Sequence, residues 1–329
     1  MLKRLLCLLA LALLLIPSAL AESTAAEAGA FPALNAEGFL DAGEFVYINA
    51  EGGVWRYVDQ DLKVEIYRRT TSGPDPHDKQ KRVRNWTWYE AEVWSRNDEA
   101  WRIFTNIEDQ HMSTAAWPEL VAKKNQTVLA INTDYAPHRY ANRKEKPNNV
   151  GIIIRNGKVF SENTRATNGK TWPPLDVLAL YPDGRMELYE SNEKTAQEYL
   201  DMGVTNTLAF GPWLIRDGKM NDSDFATMNQ GNNPRTAIGM IEPGHTVAMM
   251  LEGRHKGSVG GYLDFLAERM LEKGCTMAFN LDGGETSFMT FMGEQISITG
   301  GANNKNLYAR RTTELLGIGT SALVPDYEK

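Results

Sequence analysis

Cysteine is nearly absent: of the two in 329 residues, Cys7 lies in an apolar leader and only Cys275 follows it. With that leader removed, the chain cannot close an internal disulfide, so stability has to come from a buried core. Long apolar runs are also lacking. The one candidate, Leu5 to Ile16, falls short of the ~18 residues a spanning helix needs, which argues against stable membrane insertion. A basic surplus is missing too, since the net charge is -7, and this excludes a nucleic-acid partner because phosphate neutralisation needs a basic surface. Histidine numbers only five, and no regular metal-loop spacing occurs. Clustered Asp, Asn and Glu oxygens would still suit a divalent cation, so the cofactor question stays open at this point.

What is present begins with Lys3 and Arg4, the apolar run, Pro17 and the small-residue pattern Ala19-Leu20-Ala21. That order reads as a secretory signal over residues 1–21, and it implies a protein secreted outside the cell or held at the wall. Residues 22–30 are small and acidic, a flexible lead. Residues 31–85 form a β-rich extension and residues 86–329 the main domain. Within the extension, Phe45 to Tyr67 alternates apolar and polar side chains around a Gly52-Gly53 turn, as short strands do. Thr70 to Lys81, polar with Pro74 and Pro76, reads as a loop. Trp86, Trp88, Trp94, Trp101 and Trp117 fit either sugar stacking or a packed sheet face.

Further strands follow at Val128 to Ile131, Val150 to Ile154, and on both sides of Pro182-Asp183-Gly184. Thr195 to Met202 reads as a short helix stopped by Gly203. The stretch from Thr246 to Met289 carries most information. Thr246 to Leu251 is an apolar strand; Leu263, Leu266, Ala267, Met270 and Leu271 share one helical face; Cys275 to Leu281 is a second strand. This succession predicts a right-handed β-α-β crossover in an α+β protein built on a mixed, twisted sheet with few helices. Glu252-Gly253-Arg254 and Asp282-Gly283-Gly284 then fall past the carboxyl ends of parallel strands, at one sheet edge where ligands bind. A helix start near Ser258 to Gly261 would turn its backbone N–H groups toward the same edge. Arg235, entering another strand in Pro234-Arg235-Thr236-Ala237-Ile238-Gly239, adds a second planar fork for phosphate oxygens.

At these residues the chain resembles the phosphodiester glycosidase family. The family's N-L-D-G-G-G-S-S-T-M block is similar to Asn280-Leu281-Asp282-Gly283-Gly284-Glu285-Thr286-Ser287-Phe288-Met289, and its D-G-R with a following Ser-x-Gly to Glu252-Gly253-Arg254 and Ser258-Val259-Gly260. Its P-R-T-A-I-G block is matched by Pro234 to Gly239, F-G-P by Phe210-Gly211-Pro212, and I-N-G-D-Y by Ile131-Asn132-Thr133-Asp134-Tyr135. Thr133, Glu252, Glu285 and Phe288 depart from the pattern. The resemblance implies hydrolysis of a bond between a sugar's anomeric carbon and a phosphodiester oxygen, with a carbohydrate phosphodiester as partner.

Cleavage at an anomeric carbon passes through an oxocarbenium-like state, for which a proton donor and an opposing carboxylate are usual. Phosphate is a weakly basic leaving group, its second ionisation lying near pH ~6, so neutralising its charge matters more than protonating it. Arg235, Arg254 and Ser258 are therefore expected at the phosphate, with Gly283, Gly284, Gly211, Thr236 and Ser287 around it. Asp282 is the first candidate carboxylate at the sugar, with Glu252 or Glu285 as partner. Asn280 and Asn132 could bond sugar hydroxyls, Asp134 could hold a sugar or a cation, and His255 could donate a proton. Two other readings use the same residues: a module that binds sugar phosphates without turnover, and a glycosidase of neutral polysaccharides.

Overall fold

The structure is a computed structural model that describes residues 31–106, 115–134, 150–164, 175–221, 231–300 and 308–327. The signal and the flexible lead lie outside the described residues. Four sheets account for most of the fold. The largest has nine strands. It opens with the meander β1 (Phe45–Asn49), β2 (Val54–Val58), β3 (Leu62–Pro74) and β4 (Val83–Ser95). It continues through β15 (His245–Leu251), β14 (Arg235–Glu242), β16 (Met277–Asn280), β12 (Trp213–Arg216) and β13 (Lys219–Met220). Residues 31–85 thus supply three strands to the same sheet that carries Arg235 and Asn280.

A five-stranded sheet packs opposite, in the order β18 (Glu294–Gln295), β17 (Met289–Phe291), β6 (Thr127–Ile131), β19 (Glu314–Thr320) and β5 (Arg102–Thr105). A three-stranded sheet, β10 (Met186–Tyr189), β9 (Asp176–Leu180) and β11 (Asn206–Phe210), and the pair β7 (Gly151–Arg155) and β8 (Lys158–Asn163) close one flank. The main core lies between the large sheets, where Val64, Tyr89, Met250 and Phe279 meet Leu129, Met289, Phe291 and Leu316. Alternation along each strand sends the other side chains outward. On β14, β15 and β16 those are Ala237, Met249, Leu251 and Ala278, which pack under the helix Leu263–Glu272.

Among the described residues the helices are few, as expected. α1 (Pro118–Lys124) starts on a proline whose missing N–H costs nothing there. α2 (Ala196–Asp201) begins with a capping box, Thr195 and Glu198 each accepting the other's backbone N–H. α3 (Leu263–Glu272) buries Leu263, Leu266, Ala267 and Met270 of the face read from the sequence, whereas Leu271 turns to the surface.

Three differences from the sequence reading have physical causes. β15 and β16 both run antiparallel to β14, hence parallel to each other. β14 lies between them, so the relation expected across α3 produces no parallel ladder, and every strand ladder among the described residues is antiparallel. Thr70 to Pro74 is strand, paired with Val83 to Thr87. β2 begins at Val54 opposite Tyr67 and does not reach further, so this arm overhangs the sheet and needs no apolar face, which removed the alternation that marks a strand. Finally, α3 begins at Leu263, not near Ser258. Residues 255–258 close a tight turn, with His255 and Ser258 exchanging both backbone hydrogen bonds.

Candidate functional site

The antiparallel registers bring one end of three strands together. Arg235, first in β14, lies opposite Leu251, last in β15, and Ala237 lies opposite Asn280, last in β16. The chain leaving β15 as Glu252-Gly253-Arg254 and the chain leaving β16 as Leu281-Asp282-Gly283-Gly284 therefore emerge at one edge, beside Asn233-Pro234.

Close backbone approach sets this edge. A Cβ on Gly253 would stand 2.7 Å from the Pro234 nitrogen, and one on Gly260 2.5 Å from the carbonyl carbon of Asn233. Only glycine permits such contact. Gly284 donates to the Pro234 carbonyl at 3.0 Å, and a Cβ there would lie 3.2 Å from Nη2 of Arg254. The turn after Asp282 and the Arg254 guanidinium thus meet at a common rim. Arg254 itself adopts φ 61°, a left-handed conformation costly for a side chain of its size and held by the surrounding bridges.

The remaining motif blocks tie into the same rim. Asn132 Nδ2 donates to the carbonyl of Asp282 at 2.8 Å, while its Oδ1 accepts from the N–H of Phe288 at 3.2 Å. Asn280 Nδ2 donates to the Gly211 carbonyl at 2.8 Å, and Gly211 N–H donates back to the Asn280 carbonyl at 3.2 Å. Asn132 is consumed in holding the loop, which makes it a positioning residue; Asn280 keeps Oδ1 buried and unpartnered. Thr236 Oγ1, Thr286 Oγ1 and Ser287 Oγ are likewise buried and unpartnered. Unsatisfied buried polar atoms are costly, and these four all fall in the motif blocks that lead to the rim.

The electrostatics point to an anion. Arg235 is 5% exposed. Its hydrogen bonds go to neutral carbonyls, Nε to Gly261 at 3.1 Å and Nη2 to Gly231 at 3.3 Å. Burial first, and then the neighbouring Arg254 charge, push its pKa down to about 10, although Asp264 and Asp282 pull the other way. Arg254 gives both Nε and Nη2 to Asn233 Oδ1, at 3.2 and 2.7 Å. Among the described residues, neither guanidinium has a carboxylate within ion-pair distance. Two adjacent, partly desolvated cations repel unless an anion joins them.

The acidic candidates separate. Asp282 is 9% exposed, close enough for its field to act on Arg235, and its Oδ1 accepts the N–H of Gly283 at 2.8 Å. Glu252 is buried beneath the rim: Oε1 accepts from Ile298 N–H at 2.8 Å, and Oε2 stands 3.1 Å from His255 Nε2, off the line of a good hydrogen bond. Glu285 pairs with Arg310 at 3.2 Å. Ser258 is fully buried, its hydroxyl donating to the Glu252 carbonyl at 2.8 Å and accepting from Thr87 N–H at 3.1 Å. It therefore binds β4 to the end of β15 and has no hydroxyl to offer the rim. Asp134 is buried in an ion pair with Arg155 at 3.2 Å and accepts from Ala209 N–H at 2.7 Å, a framework position. Among the described residues no group of three or more His, Cys, Asp or Glu side chains is arranged to hold a metal ion.

Sequence reasoning overlooked Asn233, which orients Arg254; its adjacency to Pro234-Arg235 was the available sign. It also overlooked Thr286 within the matched block. Of the tryptophans, Trp86 and Trp88 pack against Phe265 of α3 and Trp101 is bonded to Thr246, whereas Trp117 is exposed.

Residues 125–318 match the family model described as phosphodiester glycosidase. A curated relative, the SPbeta prophage-derived uncharacterized protein YomE of Bacillus subtilis (strain 168), is 28% identical over 179 residues, 54% of this chain and 26% of that protein. This chain thus spans about a quarter of the length of that relative. Among solved structures, the fold is similar to the zebrafish N-acetylglucosamine-1-phosphodiester alpha-N-acetylglucosaminidase catalytic domain auto-inhibited by pro-peptide, with TM-score 0.61, 17% identity, and coverage of 80% of this chain and 85% of that one. A hypothetical protein from Synechocystis gives TM-score 0.50 at 13% identity, covering 79% and 62%. Identities this low speak for the fold alone.

Proposed function

Because the chain belongs to the phosphodiester glycosidase family, we propose that it hydrolyses the bond between a sugar's anomeric carbon and a phosphodiester oxygen, outside the cytoplasm, in envelope or exopolysaccharide glycans. The observation that carries this reading is the pair of guanidiniums, Arg235 and Arg254, meeting beside Asp282 with no ion-paired carboxylate among the described residues. A phosphodiester seated there completes the ion pairs and gains stabilisation as negative charge grows on the departing oxygen. Water adds at C1, the C1–O bond breaks with its electrons going to the phosphate oxygen, and the phosphate leaves as a monoester. Asp282 is the carboxylate best placed to face C1, because it stands at the rim where its field reaches Arg235, whereas Glu252 is buried beneath the rim. Export is supported by the leader sequence over residues 1–21.

The test is hydrolysis of a synthetic GlcNAc-1-phosphodiester in ¹⁸O-water. Release of sugar with the label on C1 supports the reading; label in phosphate would show cleavage at phosphorus instead. Binding without release at any pH would make the chain a sugar-phosphate binding module. Arg235→Ala and Arg254→Ala should each lower kcat/KM about a hundredfold, on the order of 3 kcal/mol for one lost charge-stabilising donor. A glycosidase of neutral polysaccharide would lose little.

A further inference from the structure

Next to the two arginines, on the α3 side of the sheet, lies a cavity of about 290 Å³. The overhanging arm of β3 and the turn after it form one wall with Thr71, Asp75 and His77, and the start of α3 with its cap Tyr262 forms the other with Asp264, Phe265 and Glu268. Asn232 and Gly261 line the cavity. Arg235 Nε bonds the carbonyl of that same Gly261 at 3.1 Å, and Arg254 bonds Asn233, the neighbour of Asn232. Asn233 and Gly261 also exchange both backbone hydrogen bonds, at 3.2 and 3.0 Å. The fields of Asp264 and Tyr262 act on Arg235.

Its chemistry suits a ring bearing hydroxyls. The His77 ring stacks on Tyr262 at 3.9 Å between centroids, and His77 Nε2 bonds Asp264 Oδ2 at 2.6 Å. Trp86 and Phe265 lie stacked at 6.1 Å. Flat rings cover the apolar faces of sugars, and carboxylates accept from their hydroxyls. Asp75 is already engaged, accepting from His77 N–H and from Asn232 at 2.9 Å each. Three carboxylates against Arg269 and His77 make the cavity hostile to another phosphate. Burial, followed by the nearby Asp264, raises the Glu268 pKa, in keeping with that negative field. The volume lies at the small end for ligand pockets, typically ~300–1,000 Å³, and suits one ring.

We propose that this cavity is the subsite for the group on the far side of the phosphate, and that this group is a neutral sugar or polyol. The assignment rests on the phosphodiester reading of the arginines. It makes the β3 arm, which lies before the family-matched residues 125–318, the element that selects the substrate.

Two sugar-1-phosphodiesters with the same glycone, one carrying a methyl and one a glucosyl group on the phosphate, test it by kcat/KM. The glucosyl diester should be preferred about tenfold. His77→Ala, and Thr71→Trp, which fills the cavity from an exposed strand position, should lower kcat/KM for the glucosyl diester at least fivefold more than for the methyl one. Equal preference in the wild type, or equal losses on both substrates, overturns the proposal. Saturation-transfer NMR with methyl glucoside gives an independent reading: transfer in the wild type that Thr71→Trp abolishes supports the subsite, and no transfer overturns it. If neither diester is turned over, the glycosidase reading fails while the NMR result still decides the cavity.

Discussion

At the scale of single residues, the loop after β16 is positioned by one side chain. Asn132, fully buried at the end of β6, bonds the Asp282 carbonyl and the Phe288 N–H together. Removing it leaves a buried donor and a buried acceptor without partners, each costing ~1–3 kcal/mol. Asn132→Ala should therefore lower the unfolding midpoint in urea and reduce kcat with little change in KM for a diester gripped by the arginines. Asn132→Asp should restore only the acceptor half. A variant with wild-type stability and kcat would contradict this positioning role. The residue type and its place before Thr133 were visible in the sequence, but sugar binding was the role expected of it. The carbonyl that occupies it lies 150 positions away, and no local pattern encodes that distance.

At the scale of elements, the same lesson concerns Asp134. Arg155, the last residue of β7, sits between Asp134 and Glu314, with Nη2 at 3.2 and 2.7 Å from their carboxylates. It joins β7 to the start of β19 and the end of β6. Burial alone would depress the Arg155 pKa, but Glu314 and Asp134 outweigh it and hold it above the usual guanidinium range. All three side chains are at most 2% exposed. Arg155→Ala strands two buried carboxylates and should cost about 3–5 kcal/mol, measured by denaturant unfolding. Arg155→Met with Asp134→Leu and Glu314→Leu should recover much of that loss, since apolar groups of similar volume often replace buried ion groups without penalty. Sequence periodicity located β6 and β7 as apolar segments, yet it could not show that charges at their ends pair with each other and with Glu314 of β19.

At the scale of the whole molecule, the first three strands belong to the sheet that bears the rim. β3 pairs with β4 along its full length, and Val64 and Ile66 contribute to the main core. A chain beginning at Trp86 would expose the long edge of β4 and the apolar face beneath it. Such a truncation should be insoluble or molten, lacking near-ultraviolet circular dichroism, whereas a chain beginning at Phe31 should fold as the full one does. A folded, monomeric fragment from Trp86 would show residues 31–85 to be separable.

What the amino-acid order determined by itself was local: which stretches alternate as strands, where glycines permit turns, which helix face is apolar, and that two arginine-bearing blocks stand at strand ends. These follow from φ/ψ preference and burial period, both set within a few neighbouring residues. The tertiary structure decided the rest. It inserted β14 between β15 and β16, kept the β3 arm extended past the sheet, turned Ser258 and Asp134 into framework, and brought Arg254 against Gly284. Those outcomes depend on hydrogen bonds and charges satisfied between separate elements, where the partner is chosen by packing and not by spacing.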